Sequence, residues 1–289
     1  MHVDNSSQIG VYVMTSKPKQ PATLLLVTMA INAALYAVGA VATGQIRSPW
    51  GMGQFRPAVV IPAFFAAIFG PWVGGIGAAL GTLIADSISH SELYIGSLIS
   101  AVPGNFIGFF LFGYVLKRKF SWTRFITIAN VTLVVANLIV AFLYVFAFKL
   151  LYANVPFFTA LSSDTLIMLS VGLTIFWFVT MLPFVLLITP PLIVAVSNAF
   201  PSIVADDVRQ STLKELPKRS FALSMIVPGI IMILIGLATT YTVFGTYLSE
   251  NFTTSYFPAA VMALLQLLFY GSGIILSALG FIVLLRRKQ

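Results

Sequence analysis

The sequence predicts an all-α polytopic transmembrane helical bundle of about eight spans, on the evidence of its composition and the length of its apolar segments. Of the 289 residues, 59% are hydrophobic and only 8% are charged, whereas a soluble domain carries about a quarter charged residues. The mean hydropathy is +0.99. These values exclude a soluble globular fold and intrinsic disorder. The long apolar segments favour helices over the short alternating strands of a membrane barrel.

Eight apolar segments follow one another along the chain, and most are long enough to cross a hydrocarbon core of about 30 Å. The segment 58–87 is interrupted by Gly70 and Pro71, and a proline inside a helix removes a backbone hydrogen bond. It therefore forms either two short spans joined by a tight turn or one long broken span. The segments are 22–43, 58–69, 72–87, 95–116, 125–148, 165–196, 221–244 and 256–285.

The charge distribution gives an orientation but does not choose between seven and eight spans. Lys and Arg concentrate in cytoplasmic loops of membrane proteins, and either model places 13 of the 16 on that side. We divide the chain into a cytoplasmic N-terminal segment (1–21), a six-helix membrane core (22–196), a cytoplasmic connection (197–220), and two further helices with a basic tail (221–289).

Several function classes are disfavoured by what the sequence lacks. It has no cysteine and two histidines, so we predict no metal site and no cofactor. It has no phosphate-binding loop, no H-E-x-x-H and no G-x-S-x-G motif, so we predict that it is not an enzyme. Its cations lie between apolar segments, which indicates contact with a lipid bilayer and no binding of nucleic acid.

The first loop carries the clearest ligand-binding candidates. Arg47, Trp50, Phe55 and Arg56 lie among glycines, and together they suit a lid over a small ligand, since guanidinium groups bind anions and aromatic rings stack. An interfacial anchor in the headgroup region is the alternative. We expect Arg56 to contact an anionic or strongly hydrogen-bonding group of the ligand, unless Asp86 is its partner.

Three polar positions within or beside the spans are further candidates for substrate contact. Asp86 lies at the end of an apolar segment, near His90 and Glu92, and Asn105 and Asn137 lie near mid-membrane. Buried amides and carboxylates need partners, so they face protein or a cavity and not lipid. Hydrogen bonding between helices is the alternative to ligand contact, and a solvated loop is the alternative for the acidic cluster.

The order of several motifs resembles the substrate-binding S component of an energy-coupling factor (ECF) transporter. Residues 55–86 read FRPAVVIPAFFAAIFGPWVGGIGAALGTLIAD, and residues 100–113 read SAVPGNFIGFFLFG. The first span contains alanines four residues apart, which resemble the A-x-x-x-A coupling motif of that family. The resemblance covers about residues 22–196, close to a whole six-helix S component.

The resemblance implies a substrate-capture subunit of an importer for a vitamin or similar micronutrient, in the cell membrane with both termini cytoplasmic. It implies two kinds of partner, a transmembrane coupling subunit and two ATPase subunits. It assigns the coupling face to Ala30, Ala33, Ala34 and Ala37, and the lid to the first loop. A membrane sensor or assembly protein on the same helical core is the alternative. The two added helices depart from the family pattern.

Overall fold

The chain is an assembly of α-helices, as the composition predicts. A computed structural model describes residues 21–45, 53–151, 163–243, 245–246 and 259–285. Its helices are α1 (Ala22–Thr43), α2 (Val60–Phe69), α3 (Pro71–His90), α4 (Ile95–Ile99), α5 (Ala101–Arg118), α6 (Trp122–Leu151), α7 (Ser163–Ala199), α8 (Asp206–Arg209), α9 (Lys218–Tyr241) and α10 (Ala259–Leu285).

Six of the described helices are long and apolar enough to cross a membrane: α1, α3, α6, α7, α9 and α10. Helix α2 is shorter, even with the 3-10 turn Pro57–Val59 that precedes it. The predicted segment 95–116 is divided at Ser100, which lies between the end of α4 and the start of α5. Helix α7 continues through Pro183, Pro190 and Pro191 as one helix.

Helices α2 and α3 form an antiparallel hairpin, which decides between the two alternatives for residues 58–87. Gly70 has a φ of +93°, a conformation that glycine adopts without steric cost. Pro71 occupies the first helical position of α3, where its missing N–H leaves no acceptor unpaired. Ala66 and Gly74 lie against each other across the turn. The chain reverses here, so one long broken span is excluded.

We predict that Gly74→Ala destabilises the hairpin by about 1–3 kcal/mol, the usual cost of overpacking. A Cβ at Gly74 would lie 2.4 Å from the Cβ of Ala66 and 2.9 Å from the carbonyl oxygen of Phe109. Gly271→Ala is the matched control, because no atom lies within 4 Å of its added Cβ. Unfolding in detergent checks both. Equal stability of the two variants would contradict this packing.

The last two long helices pack mainly on each other. Gly229 lies against Gly273 and Ser277, and Gly280 lies against Ala222, so α9 and α10 run antiparallel at close range. A small apolar cluster joins them to α7, and it contains Val179, Met232, Phe269 and Leu276. The pair is therefore an addition to the flank of the helical core.

The connection between α7 and α9 is folded against the turn between α5 and α6. The backbone N–H of Phe120 donates to Asp207 Oδ2 at 2.9 Å. The indole N–H of Trp122 donates to the carbonyl oxygen of Thr212 at 2.8 Å. Phe120, Trp122 and Val208 are buried. These contacts hold the connection at the same end of the bundle as the Lys117–Arg124 turn.

Candidate functional site

A polar cavity lies at the end of the bundle opposite the Gly70 turn. It has a volume of about 100 Å³, and helices α1, α3, α4, α5, α6 and α7 and the residues before α2 contribute to its wall. The lining contains an ion pair, stacked aromatic rings and several hydroxyl and amide groups. A membrane bundle buries such groups only where they have partners or face a cavity.

Arg56 and Asp86 form a buried ion pair in the cavity wall. One guanidinium nitrogen of Arg56 donates to Asp86 Oδ1, and only 11% and 9% of the two side chains are exposed. The other terminal nitrogen donates to Thr82 Oγ1 at 2.6 Å. Gln54 Oε1 accepts a further bond from Arg56 at 3.2 Å. The charges of the pair cancel locally, and the guanidinium is already occupied by protein acceptors.

Tyr36 brings helix α1 into the same network. Its side chain is completely buried, and its hydroxyl interacts with Arg56 and with Thr82. Gly81 of α3 allows this approach, because a Cβ there would lie 2.8 Å from the Tyr36 ring. The Arg56 side chain therefore ties α1, α3 and the end of the first loop together.

Aromatic rings form the adjoining part of the wall. The rings of His90 and Tyr94 stack with centroids 3.6 Å apart and planes 5° from parallel. His90 Nδ1 lies 2.7 Å from the carbonyl oxygen of Asp86, which holds the imidazole in place. The hydroxyl groups of Tyr94 and Tyr144 are 3.0 Å apart. This side of the cavity offers flat apolar surfaces with polar edges.

One polar group in the lining has hydrogen-bonding capacity that the described part of the chain does not use. The hydroxyl of Ser97 is buried without a partner there, and the amide of Asn105 belongs to the same lining, where a ligand could reach it. Asn137 has a weak partner, since its amide nitrogen lies 3.7 Å from Met181 Sδ. A buried polar group without a partner costs free energy, so the Ser97 hydroxyl favours a ligand that supplies one.

The end of the first loop is attached to α7. The indole N–H of Trp177 donates to the carbonyl oxygen of Gln54 at 3.0 Å. Gly53 has a φ of +78°, and a Cβ there would lie 2.8 Å from the Trp177 ring. Glycine is therefore required at this position for backbone geometry and for space.

Four of the predicted substrate residues line this one cavity: Arg56, Asp86, Asn105 and Asn137. Phe55 is not part of the lining and instead makes an edge contact with Phe184, with ring centroids 5.6 Å apart. Arg47 and Trp50 lie outside the described residues. The binding role of all seven remains a prediction. The sequence reasoning missed Tyr36, Thr82, Tyr94, Ser97, Tyr144 and Trp177.

The four alanines predicted to form the coupling face lie on two different sides of α1, and their role in coupling stays a prediction. Ala33 and Ala37 are 4% and 3% exposed, because they lie on the side of α1 that packs against α3, where Gly81 approaches the Ala33 carbonyl oxygen. Ala30 and Ala34 lie on the opposite, exposed side. Small residues allow close helix packing on both sides of α1. Of the two pairs, Ala30 and Ala34 are the ones that a partner could reach.

The comparisons with known proteins identify one family. The family model described as "ECF-type riboflavin transporter, S component" matches residues 21–197. No curated protein matches the chain, and no solved structure matches it. The matched residues contain the whole cavity described above, and they end before the added helices α9 and α10.

Proposed function

The chain belongs to the ECF-type riboflavin transporter S component family, and we propose that it captures riboflavin in the cavity around Arg56 and Asp86. The observation that carries the proposal is the buried Ser97 hydroxyl, which has no partner in the described part of the chain and lies in the same cavity wall as the Asn105 amide. Riboflavin has a planar aromatic ring system with polar edges and a polyhydroxylated chain. Rings and hydroxyl groups are the chemistry that this lining complements.

The charge of the cavity supports an uncharged ligand. Arg56 and Asp86 compensate each other, and in the described lining they are the two side chains with a permanent charge. An anionic ligand would add a charge that nothing in the described lining neutralises, and an uncompensated buried charge is costly. Of the two alternatives for Arg56, contact with an anionic or strongly hydrogen-bonding ligand group and pairing with Asp86, we propose the second, with Arg56 positioning the cavity wall.

We propose that the cavity widens when the ligand binds. Its space of about 100 Å³ is below the roughly 300–1,000 Å³ of typical small-molecule pockets. Gln54 and Gly53 form one edge, and they follow the loop predicted to act as a lid. We propose that this end of the first loop moves away from Trp177 when riboflavin enters.

Uptake requires partners, and we propose a transmembrane coupling subunit and two ATPase subunits. The exposed side of α1, which contains Ala30 and Ala34, supports a docking surface there because small residues allow close approach of another helix. The cations at the Lys117–Arg124 turn support a cytoplasmic position for that end. The cavity then opens outward, and both termini are cytoplasmic.

The charge of the cavity predicts which of two related ligands it selects. We predict that riboflavin binds at least tenfold more tightly than its phosphate ester, a difference of about 1.4 kcal/mol or more. Quenching of flavin fluorescence during titration of the purified protein measures both affinities. Saturable riboflavin binding with this preference supports the proposal. Failure of riboflavin to bind contradicts the function, and equal affinity for the ester contradicts the charge argument alone.

A further inference from the structure

A strip of aromatic rings runs along the outer surface of α3 and α5 and ends at a cluster of cations. The rings of Phe106 and Phe110 stack at 5.6 Å, and those of Phe110 and Tyr114 stack at 6.4 Å. Trp72 of α3 makes an edge contact with Phe110 at 5.0 Å. Trp72 is 54% exposed and Tyr114 is 43% exposed. This surface lies outside the cavity and is not used by the proposed function.

Arg118 is held against the end of this strip. Its guanidinium carbon lies 4.6 Å from the centroid of the Tyr114 ring, and one of its nitrogens donates to the Tyr114 hydroxyl. The side chain therefore folds back along α5 toward the apolar part of the bundle. Its charge is presented at the level of the aromatic rings and not out in the aqueous phase.

The surroundings of Arg118 are strongly basic. Lys117, Lys119 and Arg124 are exposed near it, and the aliphatic chain of Lys117 lies against Gly70. In the described ranges, neither Arg118 nor Arg124 forms an ion pair with a carboxylate. The acids of the nearby connection have other partners, since Asp206 pairs with Arg209 and Asp207 accepts from Phe120.

We propose that the Trp72–Tyr114–Arg118 surface binds an anionic phospholipid. The phosphate would pair with the Arg118 guanidinium, which matches phosphate geometry, and the acyl chains would lie along the rings of Trp72, Phe110 and Phe106. Aromatic rings at the membrane interface and clustered cations beside a span each favour such a ligand. The lipid would hold the Gly70 end of the α2–α3 hairpin at the membrane surface.

Trp72 provides a direct probe of this surface. It is exposed, whereas Trp122 and Trp177 are 3% and 7% exposed. The protein is reconstituted in phosphatidylcholine vesicles that contain a minor fraction of brominated lipid, either phosphatidylglycerol or phosphatidylcholine. Bromine quenches tryptophan fluorescence at short range, and subtraction of the signal of Trp72→Phe isolates the contribution of Trp72.

The expected result is stronger quenching of Trp72 by brominated phosphatidylglycerol than by brominated phosphatidylcholine. Arg118→Gln should reduce that preference by about fivefold, the contribution of one basic residue near an anionic surface. Arg209→Gln is the matched control, because it removes a paired arginine of the connection and should leave the preference unchanged. Equal quenching by the two lipids, or a preference that survives in Arg118→Gln, would overturn the proposal.

Discussion

Asp86→Asn is expected to lower the free energy of unfolding by about 3–5 kcal/mol, the cost of leaving one member of a buried ion pair without its partner. The Arg56 guanidinium would remain 11% exposed and charged, held among Thr82, Gln54 and Tyr36. These neutral groups can accept hydrogen bonds but cannot cancel the charge. Reversible unfolding in mixed detergent micelles measures the loss.

Two further variants control this experiment. Arg56→Gln combined with Asp86→Asn removes both charges, so its cost should be smaller than the sum of the two single costs. Asp206→Asn breaks an exposed ion pair, in which the side chain of Asp206 is 77% exposed and that of Arg209 is 43% exposed. It should lower the free energy of unfolding by less than about 1 kcal/mol. Additive single effects of Arg56 and Asp86 would show that the pair does not act as a unit.

Asn105→Leu is expected to weaken riboflavin binding by about tenfold to a hundredfold. The amide lines the cavity. Its removal would leave a buried polar group of the ligand without a hydrogen-bonding partner, which reduces the binding free energy by about 1–3 kcal/mol. Leucine has a similar size, so the shape of the wall is kept. Titration of flavin fluorescence with purified protein gives the riboflavin affinity of the parent protein and of Asn105→Leu.

Asn130→Leu is the matched control for this change. Asn130 lies on α6, and its amide nitrogen donates to the carbonyl oxygen of Ile126 at 2.8 Å within the same helix. It does not line the cavity, so its replacement should leave the affinity unchanged. A similar loss in both variants would indicate a general effect on the bundle, and an unchanged affinity in Asn105→Leu would remove that amide from the site.

Sequence reasoning predicted the elements well because the signals for them are local. Composition and segment length predict membrane helices, and Gly70 followed by Pro71 predicts a break, whatever the rest of the chain does. The possible pairing of Arg56 with Asp86 could also be predicted from the sequence. A cation at the start of one apolar segment and an acid at the end of the next come together when the chain reverses between the segments. The turn at Gly70 brings these two side chains together.

The sequence did not predict which side of its helix each residue would occupy. Ala30 and Ala33 are alike in the sequence, but the packing of α3 buries one and leaves the other exposed. Tyr94, Ser97 and Tyr144 are single polar residues, and nothing local indicates that they share a cavity. Phe55 was grouped with Arg56 because they are neighbours, although consecutive side chains point in different directions and Phe55 contacts Phe184.

Identification of the small molecule bound to the protein tests directly whether the cavity around Arg56 and Asp86 captures riboflavin. The full chain is purified in mild detergent after growth with riboflavin, and the released ligand is analysed by mass spectrometry and by flavin absorbance. We expect riboflavin in near-equimolar amount from the parent protein and from Asn130→Leu, with a large reduction in Asn105→Leu. A different small molecule in the cavity, or no flavin after saturation with riboflavin, would contradict it.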